Sequence, residues 1–255
     1  MTPARATSAQ DPIVRVESVA QRFGPRTIFQ DVTCDVAAGE VFVILGGSGC
    51  GKSSLMKLMI GLRPPSAGRI TVHGVDLADD AARARTLRRI GVMFQSGALF
   101  GSMTLLENVM LPLQMYTDLP EEGCAAVARV KLGLVGLGEA TGLMPAEISG
   151  GMAKRAGIAR AMALDPPLLF LDEPSAGLDP ITSAGLDRLI LDLRDALGAT
   201  FVVVTHELAS ILAIADRCIM LDRTAQGVIA TGDPRHLRDT STHPTVRAFF
   251  RREAM

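Results

Sequence analysis

Val41-Phe42-Val43-Ile44-Leu45-Gly46-Gly47-Ser48-Gly49-Cys50-Gly51-Lys52-Ser53-Ser54 is the stretch on which the reading of this chain turns. Its first five residues are apolar and rich in β-branching, which is the pattern of a strand buried on both faces. Gly46 to Ser53 then fits G-x-x-x-x-G-K-[ST], and Lys52 to Ile60 reads as a helix. In that setting the glycines let backbone N–H groups curl around an anion, and the helix N-terminus adds partial positive charge. Lys52 is placed to reach the β- and γ-phosphates of a nucleotide, with the Ser53 hydroxyl on Mg²⁺. The candidate nucleotide contacts are Gly46, Gly47, Ser48, Gly49, Cys50, Gly51, Lys52, Ser53 and Ser54. A glycine-rich turn with a solvated lysine is the plainer alternative, and the flanking strand and helix argue against it.

A second apolar run, Leu168-Leu169-Phe170-Leu171, delivers Asp172 and Glu173 to the end of a buried strand, where ligands gather in open α/β sheets. Asp172 suits a Mg²⁺ shell, which needs few protein carboxylates. Glu173 is one residue further on, where it can orient or deprotonate an attacking water, unless the pair merely caps the strand before Pro174. Glu147-Ile148-Ser149-Gly150-Gly151-Met152 precedes a helix-forming stretch, Ala153 to Leu164. Ser149 is a natural N-cap, and Gly150 and Gly151 leave backbone N–H groups open to an anion. Ordinary loop-to-helix junctions look the same. A second anion-binding terminus makes sense if two copies of the chain face each other, each closing the other's nucleotide.

Strands and helices alternate through the chain, which points to an α/β fold. Ile13 to Phe23 reads as an edge strand ended by Gly24-Pro25, and further strands are expected at Arg69–Val72, Ile90–Phe94, Leu168–Leu171, Phe201–Val204 and Arg217–Leu221. Between Gln95 and Ser149 the strand signal gives way to Met- and Leu-rich helical sequence with breakers at Pro112, Pro120 and Pro145, the mark of an inserted helical subdomain. Leu186, Leu189, Ile190, Leu193 and Leu197 recur at helical spacing and should pack on the sheet.

The 255 residues are 48% hydrophobic, ample for a packed core, and 26 Lys+Arg against 27 Asp+Glu leave a net charge of -1. That balance argues against a nucleic-acid binder working through bulk positive charge. Apolar runs fall far short of the roughly 20 residues a membrane span needs. The first eleven residues lack a secretory core and read as a frayed polar tail, so the chain is expected in the cytosol. Cys34, Cys50, Cys124 and Cys218 are scattered without a C-x-x-C pair, suggesting neither zinc nor a disulfide framework.

The ordered set Gly46–Ser53, Gln95, Ser149–Gly151, Asp172–Glu173, Asp179 and His206 resembles the nucleotide-binding domain of ABC ATPases, over roughly 14–232 of the chain. The resemblance implies a P-loop NTPase fold with an N-terminal antiparallel β subdomain and the helical insertion near 96–165, within a domain spanning 12–240 and flanked by tails at 1–11 and 241–255. It implies ATP and Mg²⁺ as ligands. Phe23 would stack on adenine, unless it is simply core. Gln95 would touch Mg²⁺ and report to a membrane partner, unless it is a surface amide. Ser149, Gly150 and Gly151 would face the γ-phosphate of the opposite subunit, Asp179 would lie at the dimer seam, and His206 would contact the γ-phosphate, unless it merely starts a helix. Met152 stands where the signature usually ends in glutamine, and Phe23 replaces the commoner tyrosine; ATP turnover is expected to survive both.

The run Gly91-Val92-Met93-Phe94-Gln95-Ser96-Gly97-Ala98-Leu99-Phe100, with Thr104 to Val109, Ser149 to Arg155 and Gly177 to Thr182, is similar to ATPases of the Mla/Mce-type lipid transporters. In that group Met at the signature end is common. This closer resemblance implies a subunit at the cytoplasmic face of the bacterial inner membrane, paired with a second copy of itself, an integral permease, a periplasmic MCE-domain protein and a small STAS-domain protein. The work would be phospholipid movement between the inner and outer membranes. Leu99, Phe100, Leu105 and Leu106 would anchor the permease, or else fill the helical subdomain's own core. An ATPase for another cargo, such as amino acids or lipoproteins, and a cell-division-type regulatory ATPase are the rival readings. Soluble ABC ATPases of DNA repair or translation usually carry tandem domains, coiled coils or cysteine clusters, which this sequence lacks.

Overall fold

The computed structural model describes residues 11–95 and 97–252. It opens on two long strands, β1 (Val14–Phe23) and β2 (Arg26–Val36), followed by β3 (Val41–Gly46) and, after the glycine-rich turn, α1 (Lys52–Met59). Then come β4 (Ala67–Val72), the short β5 (Val75–Asp76), α2 (Asp80–Leu87) and β6 (Ile90–Met93). Three helices interrupt the alternation: α3 (Leu105–Tyr116), α4 (Glu121–Leu134) and α5 (Gly150–Ala161). β7 (Leu168–Asp172), α6 (Pro180–Leu197), β8 (Thr200–Val204), α7 (Leu208–Ile214) and β9 (Arg217–Asp222) restore it. β10 (Gly227–Gly232), α8 (Pro234–Thr240) and α9 (Pro244–Arg251) complete the described chain.

The strands form two sheets. One is antiparallel, in the order β2-β1-β4-β5; the other runs β10-β9-β3-β8-β7-β6 and is parallel except where β10 pairs with β9. Successive side chains of a strand point to opposite faces, and here each face of the larger sheet has its own core. Val41, Val43, Leu45, Leu169, Leu171 and Val203 pack with the helical insertion, α6 and α7. Phe42, Ile44, Leu168, Phe170, Val202 and Val204 pack with α1 and the antiparallel sheet. This double burial explains why β3, β7 and β8 are continuous apolar runs rather than alternating ones.

Several sequence expectations are corrected. β1 is an interior strand, flanked by β2 and β4. Its partner β2 breaks strict alternation between Phe29 and Val32, where the ladder shifts register opposite Val19 and Gln21, as bulges do. Pro112 does not break a helix: it sits inside α3, which is secured before it by a Thr104–Glu107 capping box and after it by Thr117 N–H donating to Leu113 O at 2.9 Å. Leu186, Ile190 and Leu193 are buried as expected, but Leu197, at the end of α6, is 46% exposed. Leu105 is fully buried in the helical core, whereas Phe100 stays 51% exposed. Residues 244–251, assigned from sequence to a C-terminal tail, form α9, which buries Val246 and Phe250. Residues 1–10 of the polar tail, Ser96 and residues 253–255 lie outside the described residues.

Asn108 holds the loop that leads into α3. Its side chain is fully buried; Oδ1 accepts from Phe100 N–H at 2.8 Å, and Nδ2 donates to the carbonyls of Phe100, Met103 and Thr104 at 3.0–3.1 Å. Truncation would strand these backbone groups away from water, so Asn108→Ala should cost about 2–4 kcal/mol in urea unfolding. A loss under roughly 0.5 kcal/mol would mean that water substitutes for the amide.

Candidate functional site

Strand order assembles the site. β3, β8, β7 and β6 lie side by side and parallel, with Ile44 beside Val204, Val204 beside Asp172, and Met93 beside Leu171. The turns that leave their C-terminal ends are therefore neighbours: the glycine loop, His206, Asp172-Glu173 and Gln95. A cavity of about 610 Å³ opens among them, lined by Gly46–Gly49, Gly51–Ser54, Gln95, Glu173 and His206 and by the apolar side chains of Ile28 and Phe249.

The glycine loop is a backbone cradle. Gly46 has φ +143°, and a Cβ there would stand 2.2 Å from the Leu221 carbonyl oxygen and 2.8 Å from Cys50 Sγ. Gly51 has φ +104°, and its Cβ would strike Ile28 and Phe29 at 2.7–2.8 Å. Only glycine suits either position. Gly51 caps α1 without a side-chain hydrogen bond, and the first turn holds no acidic residue. Its N–H groups thus remain available to an anion. Lys52 Nζ donates to the carbonyls of Gly46 and Gly47, at 2.8 and 3.1 Å, which holds the ammonium over the loop. Cys50, named with this loop from sequence, does not line the cavity: it is buried behind it, and burial pushes its thiol pKa up.

Asp172 Oδ1 accepts from Ser53 Oγ at 3.1 Å, tying β7 to α1. Burial raises the Asp172 pKa, opposed by that hydroxyl and by the charges of Lys57 and Lys52. Glu173 has φ +49°, unusual for a residue with a side chain, at a cost of about 1–3 kcal/mol. Its N–H donates to Val204 O at 2.8 Å, and its carbonyl accepts from Ala176 N–H and Lys154 Nζ, both at 3.2 Å. Glu173 Oε1 lies 2.8 Å from His206 Nδ1, while Oε2 is buried without a partner. A carboxylate with one oriented and one unfilled oxygen, beside a glycine loop and a helix start, has the donors and acceptors that a phosphate, a cation and a water require. The Ser53–Asp172 pair fits Mg²⁺ in particular, since both are hard oxygen donors.

Other candidates lie elsewhere. Phe23 is 44% exposed with Arg63 stacked over its ring, and it does not line the cavity; Ile28 on the returning strand does. Ser149 caps α5, its Oγ accepting from Met152 N–H at 3.2 Å, and Asp179 caps α6, accepting from Ile181 and Thr182 N–H at 3.0 Å. These two helix starts touch: a Cβ on Gly151 would be 2.6 Å from Thr182 Cγ2. Ser149, Gly150, Gly151 and Asp179 therefore form a second cluster apart from this chain's own cavity. The sequence reading missed Ile28, Phe249 and Lys154. Ile28 and Phe249 come from a bulged strand and a short C-terminal helix, and no local pattern marks any of the three.

Comparison with known proteins agrees with this fold. The family model described as ABC transporter matches residues 29–176. A Mycobacterium leprae protein named "Probable ribonucleotide transport ATP-binding protein mkl" is 43% identical over 241 residues, 93% of this chain and 68% of that relative. The chain thus spans about two thirds of the length of such mycobacterial relatives, 66% for those of Mycobacterium tuberculosis. The Escherichia coli K12 "Intermembrane phospholipid transport system ATP-binding protein MlaF" is 42% identical over 232 residues, covering 88% of this chain and 86% of that one. Among solved structures, a dimeric ATP-binding cassette in a post-hydrolysis state bound to ADP and Pi superposes with a TM-score of 0.78 at 29% identity, over 86% of this chain and 98% of that one. A family match over more than half of the sequence, joined to this likeness in fold, means that the chain belongs to the ABC transporter family.

Proposed function

We propose that this chain binds and hydrolyses Mg²⁺–ATP as one of two facing copies, and that the resulting motion drives a permease that moves phospholipid between the inner and outer membranes. The observation that carries the hydrolytic reading is Glu173: it lines the same cavity as the glycine loop, has one oxygen on His206 and keeps the other unpartnered. The loop N–H groups and Lys52 hold the phosphates, while Ser53, Asp172 and Gln95 hold the metal. When bound, Mg²⁺ offsets charge on the β- and γ-phosphate oxygens. Glu173 accepts a proton from the attacking water, and His206 orients that carboxylate and lies near the γ-phosphate. Ile28 beside the glycine loop, with Phe23 closing from the hairpin tip, receives the base.

Ser149, Gly150, Gly151 and Asp179 complete the site of the opposite copy, a role supported by their separation from the cavity of their own chain. The dimeric ADP–Pi cassette lends weight to the same arrangement. The phospholipid cargo is supported by the relative that matches most of both chains, the phospholipid-transport ATP-binding protein. The equally similar relative named for ribonucleotide transport favours a second reading, in which the same ATPase serves a nucleotide cargo. Among the described residues no helix is long and apolar enough to cross a membrane; in this reading the permease attaches the chain to the inner membrane. MCE-domain and STAS-domain proteins are the further partners of this reading. Phe100 offers the permease an exposed ring on a loop held by Asn108, with the Arg160 guanidinium 5.8 Å from the ring centre.

Three outcomes test these claims. Glu173→Gln should retain nucleotide binding while kcat falls by about 100-fold or more; turnover at the wild-type rate would remove Glu173 from its role. Phe100→Asp should abolish stimulation by the permease without altering the basal rate of the isolated chain, and unchanged stimulation would move the coupling surface elsewhere. Purification of the tagged protein from its own membranes in mild detergent should bring a permease, an MCE-domain protein and bound phospholipid. Recovery of a nucleotide- or amino-acid-binding protein instead would leave the ATPase in place and discard the lipid cargo.

A further inference from the structure

One face of α5 is built to grip the backbone of Gln95, Gly97 and Ala98. Ala153, Lys154, Gly157 and Arg160 share that face at helical spacing. Gly157 admits the chain closely: a Cβ there would stand 3.2 Å from both Gly97 Cα and Met93 Cγ. A Cβ on Gly97 would in turn stand 3.0 Å from the Ala153 carbonyl oxygen. Arg160 donates from Nη1 to Ala98 O at 2.7 Å and from Nη2 to Gly97 O at 3.0 Å. Lys154 goes further. Its buried Nζ donates to the Gln95 carbonyl and, at 3.2 Å, to the Glu173 carbonyl. Among the described residues it is the side chain that hydrogen-bonds both of these site loops at once.

The placement matters because Glu173 sits in left-handed backbone geometry, φ +49°. A residue there keeps its orientation only if its surroundings hold it, and one of the groups holding the Glu173 carbonyl is the Lys154 ammonium. Burial works against the charge on Lys154, while the carboxylates of Glu173, Asp172 and Glu207 favour it. The same helix begins at Ser149, five residues earlier in the chain, in the cluster assigned to the opposite copy's nucleotide. We propose that Lys154 is a positioning residue: through the carbonyls of Gln95 and Glu173 it sets the Glu173 carboxylate relative to the helix that starts at Ser149, and so links the two half-sites of one chain. The inference rests on the hydrolytic reading of this site.

The test compares the full-length wild type with Lys154→Met, which keeps an unbranched stem but no donor, and Lys154→Gln, which keeps N–H donors without the charge. Steady-state kcat and KM with Mg²⁺–ATP are read beside the Kd for a fluorescent ATP analogue and the melting temperature. Lys154→Met should lose about 10- to 100-fold in kcat with KM, Kd and melting temperature near the wild type, and Lys154→Gln should recover part of that loss. Wild-type kcat in Lys154→Met overturns the proposal. So does a parallel loss of nucleotide affinity, melting temperature and kcat with no recovery in Lys154→Gln, which would make Lys154 a packing residue only. If Lys154→Met does not fold, Lys154→Gln decides alone: reduced kcat at an unchanged melting temperature supports the role, and wild-type kcat removes it. A wild-type chain that binds the analogue without hydrolysing ATP overturns the hydrolytic reading and this inference together. Normal wild-type turnover with an unaffected Lys154→Met strikes only the inference.

Discussion

The parallel ladder through β3, β8 and β7 is the constraint on which the site depends. Its register sets Ile44 beside Val204 and Val204 beside Asp172, so the loops leaving these strands begin within a few ångströms of one another. Parallel strands space their slanted hydrogen bonds evenly, and a slip of one residue would turn every side chain to the other face. Here a slip would be doubly costly, because both faces are buried and each is matched to a different set of partners. Two independent cores thus hold one register. The polar groups at its edge are consequences: Ser53 meets Asp172, and Glu173 N–H meets Val204 O.

Within that frame, glycine and strain divide the labour. Gly46 lets the chain pass against β9 where a Cβ would meet the Leu221 carbonyl oxygen at 2.2 Å, and so the cradle opens directly off the sheet. Glu173 has no such freedom and occupies left-handed geometry regardless. Native structures keep such conformations where surrounding contacts over-determine them. Val204, Ala176 and Lys154 supply those contacts from three different segments, so the orientation of one carboxylate records the positions of β8, the loop after β7 and α5.

How much of this could be read from sequence follows from how local each signal is. The buried parallel strands announce themselves as apolar runs, and the glycine loop, Asp172-Glu173 and the caps Ser149 and Asp179 carry short motifs whose chemistry is tied to spacing. β2 escapes a period-two reading because the register shift between Phe29 and Val32 breaks the alternation that Val32, Cys34 and Val36 keep. β10 was missed because its residues are nearly all half-exposed and show no alternation. The assignment of Leu105 to the core and Phe100 to the surface depends on a buried amide eight residues from Phe100. Lys154, Ile28 and Phe249 reach the site from distant elements, and a sequence pattern cannot show where a long side chain ends.

The division of motifs between two places on one chain carries an argument about assembly. The cradle lies at the C-terminal edge of β3, while the caps Ser149 and Asp179 lie at the starts of α5 and α6, against each other. α5 cannot swing its N-terminus onto its own cradle, because Lys154, Gly157 and Arg160 hold that helix to the backbone of Gln95, Gly97 and Ala98. On the ATP-hydrolysing reading, the missing half must come from another molecule. A twofold axis is the simplest operator that supplies it, since the patch that gives on one copy is the patch that receives on the other. On the same reading, the helix that would close the neighbour's site is the helix that grips Gln95 and Glu173 at home, so closure at one nucleotide would bear on the carboxylate at the other.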